Sequence, residues 1–394
     1  MAKLIEITGK ALAGEWGTDD ETGKGIPVLR TTNFTNEGVV DYNDVVTRTI
    51  TKKNIDEKFL RPGDIIIEKS GGSDKYPVGR VIYFDGPSST YLFNNFTGLL
   101  RVQDQKKWFP KYVFYSLYGN YRRGGTRQFE NKTTGLHNLK TDDYVTRYDI
   151  VEADYSKQKE VCSLLDKLYS IVKMREEELV KLDELIKARF VELFGNILSD
   201  RNLPLVQLSE IVDIGSSKRI YANEYVEEGI PFYRSKEIRE LGSGLKPSVE
   251  LFIKPERYDE IKDKYGVPKV GDILIAAIGA TIGYSWIVNT ENPFYYKDGN
   301  LIILSIKDDV NPVFLNHTMG ILIEDFKNKG AAGSAQLALT IEKLEKMMVI
   351  NPDIRLQNQF ADFVKQIDKS KVVVQKALNK ARLLFDSLMQ NYFG

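Results

Sequence analysis

The chain has 394 residues, 42% of them hydrophobic and 28% charged, and its 55 basic residues are balanced by 55 acidic ones. These fractions are ordinary for a folded protein, whereas the length exceeds what one hydrophobic core usually serves, so we expect two or three domains. A net charge of zero argues against a protein that binds DNA through a general positive field, because phosphate contacts normally require an excess of Lys and Arg. A single cysteine, the lack of a secretory leader and the lack of a run of about 18 apolar residues predict a cytoplasmic protein without disulfides.

Residues 1–154 have the pattern of an α+β domain. Short β-type runs at 65–67, 81–84 and 99–102 are bounded by Gly, Pro, Asn and Asp. Residues 109–114 should begin a helix that has proline in its first turn. We therefore predict a β-rich domain here, which is called the first head below.

Polar loops of the first head carry groups that suit contact with phosphates and base edges. Residues 121–129 combine three guanidinium groups, an amide, two flanking aromatic rings and flexible glycines. Residues 68–75 follow a β-type run and are similarly polar. The simpler alternatives are a solvated loop at the junction of head and helix for 121–129 and a plain hairpin loop for 68–75. The candidate DNA-contact residues of this head are Arg30, Thr31, Thr32, Asn33, Lys69, Ser70, Ser73, Arg122, Arg123, Arg127 and Gln128.

A long helix is predicted from Ser156 to about Asn196. Apolar residues recur there in alternating steps of four and three, which is typical of a coiled-coil helix. Gly195 can end this helix in a left-handed cap. Arg175 and Arg189 interrupt the apolar stripe, and we expect their stems to lie along its edge. The predicted helix–helix packing residues are Val161, Leu165, Leu168, Val172, Leu179, Leu182 and Ile186.

Residues 199–352 repeat the α+β pattern and are called the second head. Its β-type runs are at 273–275, 286–288 and 301–304, and Pro312 should lie in the first turn of a helix. Its candidate DNA-contact residues are Lys218, Arg219, Arg234, Ser235, Lys236, Lys327, Lys329 and Gln336.

A second long helix is predicted from about Leu356 to Tyr392, with the same apolar spacing. About 38 residues at 1.5 Å each would make either helix on the order of 55 Å long. A narrow apolar stripe needs a partner, and because the two stripes match in length and phase we expect the helices to pair with each other in antiparallel directions. The predicted packing residues of the second helix are Phe360, Val364, Ile367, Val374, Leu378, Phe385 and Leu388.

The whole chain has the pattern of an internal duplication. Gly-Ile-Pro followed by arginine occurs at 25–30 and 229–234, and Gly-Asp-Ile followed by two aliphatic residues occurs at 63–67 and 271–275. The helix stripes correspond at an offset of 199 residues, as from Val161 to Phe360, and Phe194-Gly195 recurs as Phe393-Gly394. This ordered repetition indicates an ancestral duplication and approximate two-fold symmetry. The predicted fold is α+β, with a first head (1–154), a first spacer helix (155–198), a second head (199–352) and a second spacer helix (353–394).

The residue types of common active sites are missing. His137 and His317 are the only histidines, they do not correspond under the repeat, and one cysteine leaves no plausible zinc set or Cys/His pair. The chain also lacks a phosphate-binding Gly-x-x-x-x-Gly-Lys loop and a Gly-x-Ser-x-Gly elbow. We therefore expect no catalytic residue, metal site or cofactor in this chain.

The ordered set of motifs resembles the specificity subunits of type I restriction-modification systems over nearly the whole chain. Besides the two duplicated motifs, the resemblance includes Gly71-Gly72-Ser73, the approach to the second long helix at 352–357 and the ending of the first at 189–195. It implies that each head is a target recognition domain and that each long helix is a conserved spacer region. The neutral charge of the heads departs from this pattern, and residues 14–17 have no obvious counterpart in the second head.

The resemblance also implies a role and a set of partners. The chain would be a non-catalytic subunit that binds double-stranded DNA, docks two adenine-modifying subunits and acts together with restriction subunits that translocate and cleave. S-adenosylmethionine, ATP and Mg would be bound by those partners. Two unlike heads at a fixed separation would read a bipartite, asymmetric site with a fixed spacer. Two alternatives stay open, namely an adaptor whose heads bind protein or glycan and an enzyme whose site is assembled in an unrecognised way.

Overall fold

The chain forms two compact units. The structure, a computed structural model, describes residues 1–133, 136–200, 204–307, 309–330 and 337–394. The first unit is Met1–Glu177 together with Gln375–Gly394, and the second is Glu178–Val374. Each unit therefore contains one head and a part of each long helix.

The two predicted long helices are present, and each has 40 residues. The helices, numbered along the chain, are α1 (Leu4–Thr8), α2 (Pro110–Arg122), α3 (Thr141–Arg147), α4 (Tyr155–Phe194), α5 (Leu208–Ile211), α6 (Ser235–Gly242), α7 (Pro255–Tyr265), α8 (Pro312–Gly330), α9 (Ile341–Glu345) and α10 (Ile354–Phe393). Gly195 follows α4 with a φ of 74° and donates its N–H to the Val191 carbonyl at 2.8 Å. This is the left-handed cap that the sequence predicts, since glycine alone enters this region without strain.

The described part of the first head contains four small sheets. Its strands are β1 (Ala2–Lys3), β2 (Leu12–Ala13), β3 (Thr18–Asp19), β4 (Ile26–Leu29), β5 (Val46–Thr49), β6 (Ile65–Glu68), β7 (Ser70–Gly72), β8 (Val81–Tyr83), β9 (Leu92–Phe93), β10 (Thr97–Leu100), β11 (Glu130–Thr133), β12 (Leu136–Leu139) and β13 (Asp149–Ile150). The strand orders are β1-β13, β2-β10-β6-β8, β3-β5-β4-β9 and β11-β12-β7. Only β4 and β9 pair in parallel among the strands of the described part of this head.

The second head repeats three of these sheets. Its strands are β14 (Leu205–Gln207), β15 (Val212–Gly215), β16 (Tyr225–Val226), β17 (Ile230–Tyr233), β18 (Phe252–Ile253), β19 (Ile273–Ala276), β20 (Ser285–Ile287), β21 (Tyr295–Tyr296), β22 (Leu301–Ile306) and β23 (Met348–Ile350). They form the orders β14-β23, β15-β22-β19-β20 and β16-β18-β17-β21, again with one parallel pair, β17 with β21. The duplication seen in the sequence is therefore also a duplication of topology.

The topology corrects one sequence-based expectation. Residues 14–17 have no counterpart recognisable by sequence, yet they lie between β2 and β3, which take the same places in their sheets as β15 and β16. Backbone pairing has been kept here while the side chains have diverged. The sheet of β7, β11 and β12 was not predicted, because β7 contains two glycines and lacks the β-branched residues that indicate a strand.

The central strand of each head is buried on both faces. Ile65 and Ile67 of β6 face a core that includes α2, whereas Ile66 faces a second core together with Leu29 of β4. The corresponding strand β19 divides its side chains between two cores in the same way. Burial on both faces explains why these strands appear in the sequence as uninterrupted aliphatic runs instead of an alternating pattern.

In the first unit, the parts of α4 and α10 pack in antiparallel directions. The ammonium group of Lys157 lies 5.7 Å from the ring centre of Tyr392, and further along α4 the Glu176 carboxylate pairs with Arg382 at 2.7 Å. Residue numbers therefore rise along α4 while those of its neighbours on α10 fall. The shared core contains Val161, Leu165, Leu168, Phe385, Met389 and Phe393.

The second unit shows the same antiparallel arrangement. Asp183 of α4 pairs with Lys371 at 2.5 Å, and the ring of Phe194 lies 5.8 Å from that of Phe360, nearer the start of α10. Lys371, which interrupts the apolar stripe, is thus matched by an acidic partner. The shared core contains Ile186, Phe190, Phe194, Phe360, Val364 and Ile367.

Most of the predicted packing residues are buried, but the stripe shifts near the end of each helix. Those buried are Val161, Leu165, Leu168, Ile186, Phe360, Val364, Ile367, Val374, Leu378 and Phe385, while Val172, Leu179, Leu182 and Leu388 are half-buried. At the helix ends the buried positions are Phe190, Phe194, Met389 and Phe393. A straight helix drifts relative to a strict seven-residue repeat, so steps of four move the apolar face by one residue.

Candidate functional site

Each head holds an arginine in the same position, directly after the strand that carries Gly-Ile-Pro. In the first head the guanidinium of Arg30 donates from Nη2 to the Asp44 carboxylate at 2.8 Å. In the second head Nη2 of Arg234 donates to the Glu250 carboxylate at 2.9 Å. Both acids stand two residues before the strand that returns beside the arginine strand, β5 or β18. These two arginine–carboxylate pairs are called the arginine sites.

The glycine of Gly-Ile-Pro allows this returning strand to approach. A Cβ atom at Gly229 would lie 2.4 Å from the Ile253 carbonyl oxygen, and the φ of Gly229 is 152°. A Cβ atom at Gly25 would lie 2.8 Å from the Arg48 carbonyl oxygen. Only glycine permits such a close backbone contact, which gives the repeated motif a structural reason: it places the arginine beside its acidic partner.

A buried polar residue three positions after the arginine supports each arginine site. The backbone N–H of Arg30 donates to Oδ1 of Asn33, and that of Arg234 donates to Oε2 of Glu237, both at 2.8 Å. Glu237 is fully buried and also binds the Arg234 guanidinium at 2.9 Å. The two heads thus use different residues for one structural task.

This arrangement gives Asn33 a role in holding the loop, while its contact with DNA stays a prediction. Its side chain is buried, and its Nδ2 donates to the carbonyls of Asp41 and Asp44, each at 3.0 Å. All of its hydrogen-bonding groups are engaged in holding the loop. Ser235 of the second head is also buried, whereas Thr32 is exposed and Thr31 is half-buried.

In the first head, Arg80 connects the arginine site with the neighbouring loop. Its Nη1 donates to the Phe34 carbonyl at 2.8 Å, and its Nη2 donates to the Thr31 carbonyl at 2.9 Å and to Glu68 at 3.3 Å. Glu68 is buried, and this burial raises the pKa of its carboxyl group, while Arg80 acts in the opposite direction. Lys69 follows directly, and burial lowers the pKa of its ammonium group.

The second head cannot form the ion pair of Glu68 and Arg80. The Glu68 N–H donates to the Arg80 carbonyl, and in the same register the Ala276 N–H donates to the Tyr284 carbonyl, each at 2.8 Å. The corresponding residues, alanine and tyrosine, carry no opposite charges. The arginine site is therefore common to both heads, whereas its surroundings differ.

Four predicted contact residues of the first head come together around β7. Ser70 pairs with Asn138 across the sheet, and the Lys69 carbonyl accepts from the Leu139 N–H at 2.8 Å. Arg127 donates to the carbonyls of Asp74 and Lys75, each at 3.2 Å. Lys69, Ser70, Ser73 and Arg127 thus lie in or next to the sheet of β7, β11 and β12. Gln128 is exposed next to them and donates to the Gly125 carbonyl at 3.2 Å.

Arg122 and Arg123 lie elsewhere, at the end of α2 and not in a flexible loop, and their contact with DNA stays a prediction. Arg122 is the last residue of α2, and it pairs with Asp386 of α10 at 2.8 Å. Arg123 donates to the carbonyl of Phe393, at the end of α10, where the helix dipole favours a positive charge. Because α2 continues through Arg122, both guanidinium groups are directed towards α10, as the simpler alternative of a head–helix junction implied.

Four further predicted cations of the second head have acidic partners. The pairs are Arg219 with Asp298 at 2.8 Å, Lys236 with Glu250 at 2.6 Å, Lys327 with Glu324 at 2.8 Å and Lys329 with Asp325 at 2.6 Å. The ammonium group of Lys218 instead lies 5.0 Å from the ring centre of Tyr265. Lys327 and Lys329 are part of α8, and Gln336 lies outside the described residues. The balance of basic and acidic residues in the chain is thus also seen locally, because these cations lie beside acidic side chains.

Glu250 is the most strongly engaged of these acids. Hydrogen bonds from Lys236 and Arg234 lower the pKa of its carboxyl group to about 2. It remains more than half exposed, as does Asp44 in the first head. An exposed carboxylate that pairs with a firmly positioned arginine can be replaced by another hydrogen-bond acceptor. A planar guanidinium suits both phosphate oxygens and the edge of guanine.

Both long helices expose apolar side chains away from their shared core. In the first unit Leu164, Ile171 and Met174 of α4 are exposed, and the last two line a groove of about 550 Å³ that also includes Phe109. In the second unit the exposed apolar residues of the helices are Val180, Leu185, Val191, Leu356, Val372 and Val373. Helix surfaces of this kind are typical of contacts with further helices.

The acidic partners at the arginine sites were not identified from the sequence. Asp44 and Glu250 are far from their arginines in sequence, although each stands two residues before a strand. Gln158 and Gln357 are both fully buried, and their separation equals the offset of the repeat. That offset was the signal that could have identified them.

None of the helices in the described part of the chain is both long and apolar enough to cross a membrane. No group of three or more His, Cys, Asp or Glu side chains in that part of the chain could hold a metal ion.

The described part of the chain thus contains two heads of related topology, each with an arginine site, and two long helices. Residues 202–381 match the family described as type I restriction modification DNA specificity domain. A putative type I restriction enzyme specificity subunit of Haemophilus influenzae, S.HindORF215P, is 28% identical over 190 residues, which are 48% of this chain and 45% of that protein. The aligned part is thus about half the length of this curated relative.

Two solved structures have the same fold. The S subunit of a type I restriction-modification system from M. genitalium matches with a TM-score of 0.60 and 16% identity, over 100% of this chain and 95% of that one. A chain from a study of complex assembly and conformational transition of the type I R-M system matches with a TM-score of 0.59 and 15% identity, over 100% and 96%. Residues 202–381 thus resemble a type I restriction-modification DNA specificity domain, and the whole chain shares the fold of these two solved structures.

Proposed function

We propose that this chain is the DNA-recognition subunit of a type I restriction-modification complex. Each head would read one half of a bipartite, asymmetric site in double-stranded DNA, and the paired helices would hold the half-sites at a fixed spacing. The observation that carries the proposal is the pair of arginine sites. Arg30 and Arg234 keep their positions and their acidic partners, while the residues around them differ between the heads.

An arginine that is kept while its neighbours change suits two domains that read different sequences. The guanidinium supplies a contact that any DNA can accept, at a phosphate or at guanine, and the variable neighbours supply discrimination. Beside Arg30, Arg80 binds the Thr31 carbonyl and the Glu68 carboxylate, whereas beside Arg234, Lys236 shares the Glu250 carboxylate. Different half-sites are the expected consequence.

The paired cations also fit a selective mode of DNA binding. Surface ion pairs contribute little to stability, so phosphates can replace Asp44 or Glu250 without unfolding the site. Until DNA is bound, the acids keep the heads neutral, which limits binding through charge alone. Partner subunits would supply additional positive charge.

The exposed apolar residues of α4 and α10 would dock two modification subunits. The helices are related by the internal repeat, so each offers a similar surface to one copy of the same partner. Restriction subunits would join through this complex. We propose that the chain is not itself catalytic and acts in the cytoplasm, and that S-adenosylmethionine, ATP and Mg are bound by the partners.

Co-expression with its candidate modification subunits tests the proposal. Methylated adenines in the host DNA should fall within one bipartite motif of two unlike half-sites and a single spacer length, and the subunits should co-purify. Methylation that depends on the chain but follows one uninterrupted motif would contradict it.

The neutral heads favour one second candidate, an adaptor whose heads bind protein and whose helices join separate chains. The mass of the purified chain separates the two proposals. An intramolecular helix pair predicts a monomer in the absence of partners, whereas the adaptor predicts a stable dimer and no chain-dependent methylation.

A further inference from the structure

Both long helices carry a buried glutamine in their first turn. Gln158 of α4 and Gln357 of α10 are 1% and 0% exposed. A buried amide is costly unless its hydrogen bonds are satisfied, and neither residue lies in the core between the helices. Each therefore needs partners in the head that it adjoins.

Gln158 ties three segments of the first unit together. Its Oε1 accepts from the Phe109 N–H at 2.8 Å, and its Nε2 donates to the carbonyls of Lys107 and Ala153 at 3.0 and 2.8 Å. Phe109 directly precedes the head helix α2, and Ala153 precedes α4. One carboxamide thus joins the start of the head helix, the chain leaving the head and the long helix.

Gln357 makes the equivalent contacts in the second unit. Its Oε1 accepts from the Asn311 N–H at 2.9 Å, and its Nε2 donates to Oδ1 of Asn351 at 3.0 Å and to the Pro352 carbonyl at 2.7 Å. Asn311 directly precedes α8, just as Phe109 precedes α2, and both are followed by proline. The same three-way connection therefore occurs at both junctions.

We propose that Gln158 and Gln357 are positioning residues that fix the rotation of each head about its long helix and thereby set the spacer length of the DNA site. The inference rests on the proposed function. Turning a head about its helix would break three hydrogen bonds at once and leave their buried partners unsatisfied. A change of one base pair in the spacer moves a half-site by about 3.4 Å and about 35°, so a head held in one rotation accepts one spacer.

The test replaces each glutamine by methionine, which keeps the length of the side chain and removes its hydrogen bonds. Gln359→Met is the matched control, because Gln359 is exposed on the same helix, two residues after Gln357. Each variant is co-expressed with the modification subunits, and adenine methylation is mapped in host DNA. Targets with spacers one base pair shorter or longer are compared with the native target.

Gln158→Met and Gln357→Met should each raise methylation at the altered spacers, relative to the native spacer, by about tenfold, with both half-sites unchanged. Tenfold corresponds to about 1.4 kcal/mol, close to the loss of one buried hydrogen bond. The control should keep the native ratio. A merely structural role would lower the melting temperature and total methylation but leave this ratio unchanged, and that result would overturn the inference.

Shorter side chains provide a second test if the methionine variants do not fold. Gln158→Asn and Gln357→Asn keep the amide but cannot reach all three partners, so they should also relax the spacer. Asparagine variants with the native spacer ratio would overturn the inference while leaving the proposed function intact. If the wild-type chain directs no bipartite methylation, the proposed function fails first.

Discussion

Arg80 should stabilise the first head chiefly by compensating the buried charge of Glu68. The Glu68 side chain is only 6% exposed, and Arg80 is its ion-pair partner in addition to binding two backbone carbonyls. Removing one partner of a buried pair typically costs about 3–5 kcal/mol, because the other charge is left without compensation. We therefore expect Arg80→Met to lower the free energy of unfolding of the first unit by that amount at neutral pH.

The loss should depend on pH in a defined direction. Burial already raises the pKa of Glu68 above its ordinary value of 4.5, and loss of Arg80 should raise it further. A carboxyl group with a raised folded-state pKa destabilises the fold when it is ionised, and this penalty disappears as the pH falls through that pKa. Acidification towards pH 4.5 should thus restore part of the stability of Arg80→Met relative to wild type.

Urea unfolding followed by tryptophan fluorescence measures both effects, with Trp16 and Trp108 reporting on the first unit. The control is the double variant Glu68→Gln with Arg80→Met, in which no buried charge remains, so it should recover most of the loss. The reasoning is refuted if the double variant is as unstable as the single one at neutral pH. A loss that does not shrink on acidification would refute it as well.

Three further outcomes are expected. Glu250→Gln should raise the affinity for non-specific duplex DNA several-fold in fluorescence anisotropy, because Arg234 and Lys236 lose the negative charge of the carboxylate that they share. Arg127→Met should reduce the slope of log K against log salt by about 1, whereas Arg122→Met should leave that slope unchanged. Phe190→Ala should cost about 3–5 kcal/mol in urea unfolding, clearly more than Leu193→Ala, because Phe190 is the buried residue of the pair.

Each of these outcomes has a matched comparison. Glu256→Gln removes an exposed acid of the second head that lies on α7, and an equal rise in affinity there would point to net charge instead of the arginine site. Equal salt slopes for Arg127→Met and Arg122→Met would show that Arg127 contributes no more to phosphate contact than Arg122, which lies at the junction with α10. Equal losses of unfolding free energy for Phe190→Ala and Leu193→Ala would instead support the strict seven-residue apolar stripe that the sequence predicts.

The repeat made much of the fold predictable from the sequence. Gly-Ile-Pro-x-x-Arg and Gly-Asp-Ile mark the start of the same strands in both heads, and the spacing of four and three located both long helices. These signals are local, since they depend on glycine conformation and on helical periodicity. The drift of the stripe to Phe190 and Phe194 was missed because a seven-residue template does not follow a straight helix.

The candidate sites were less predictable because their geometry depends on distant residues. Arg122 and Arg123 look like loop cations until the end of α2 is known, and that end is fixed by packing. Gln158 stands between two lysines in the sequence, so its burial is visible only when the head and helix are assembled. Asp44 and Glu250 become partners of arginine only through the pairing of β4 with β5 and of β17 with β18.

The central claim is that the paired helices set the distance between two half-sites, and a matched insertion tests it most directly. Three heptads, 21 residues, would be inserted into each helix at the boundary between the two units along the chain, after Glu177 and before Gln375. They add about 31.5 Å to a helix, which equals about nine base pairs and nearly one turn of DNA, so the half-sites return close to their original rotation. Mapping of methylated adenines should show the same half-sites with a spacer longer by about nine base pairs. An active variant that keeps the original spacer, or that changes the half-sites, would contradict the account.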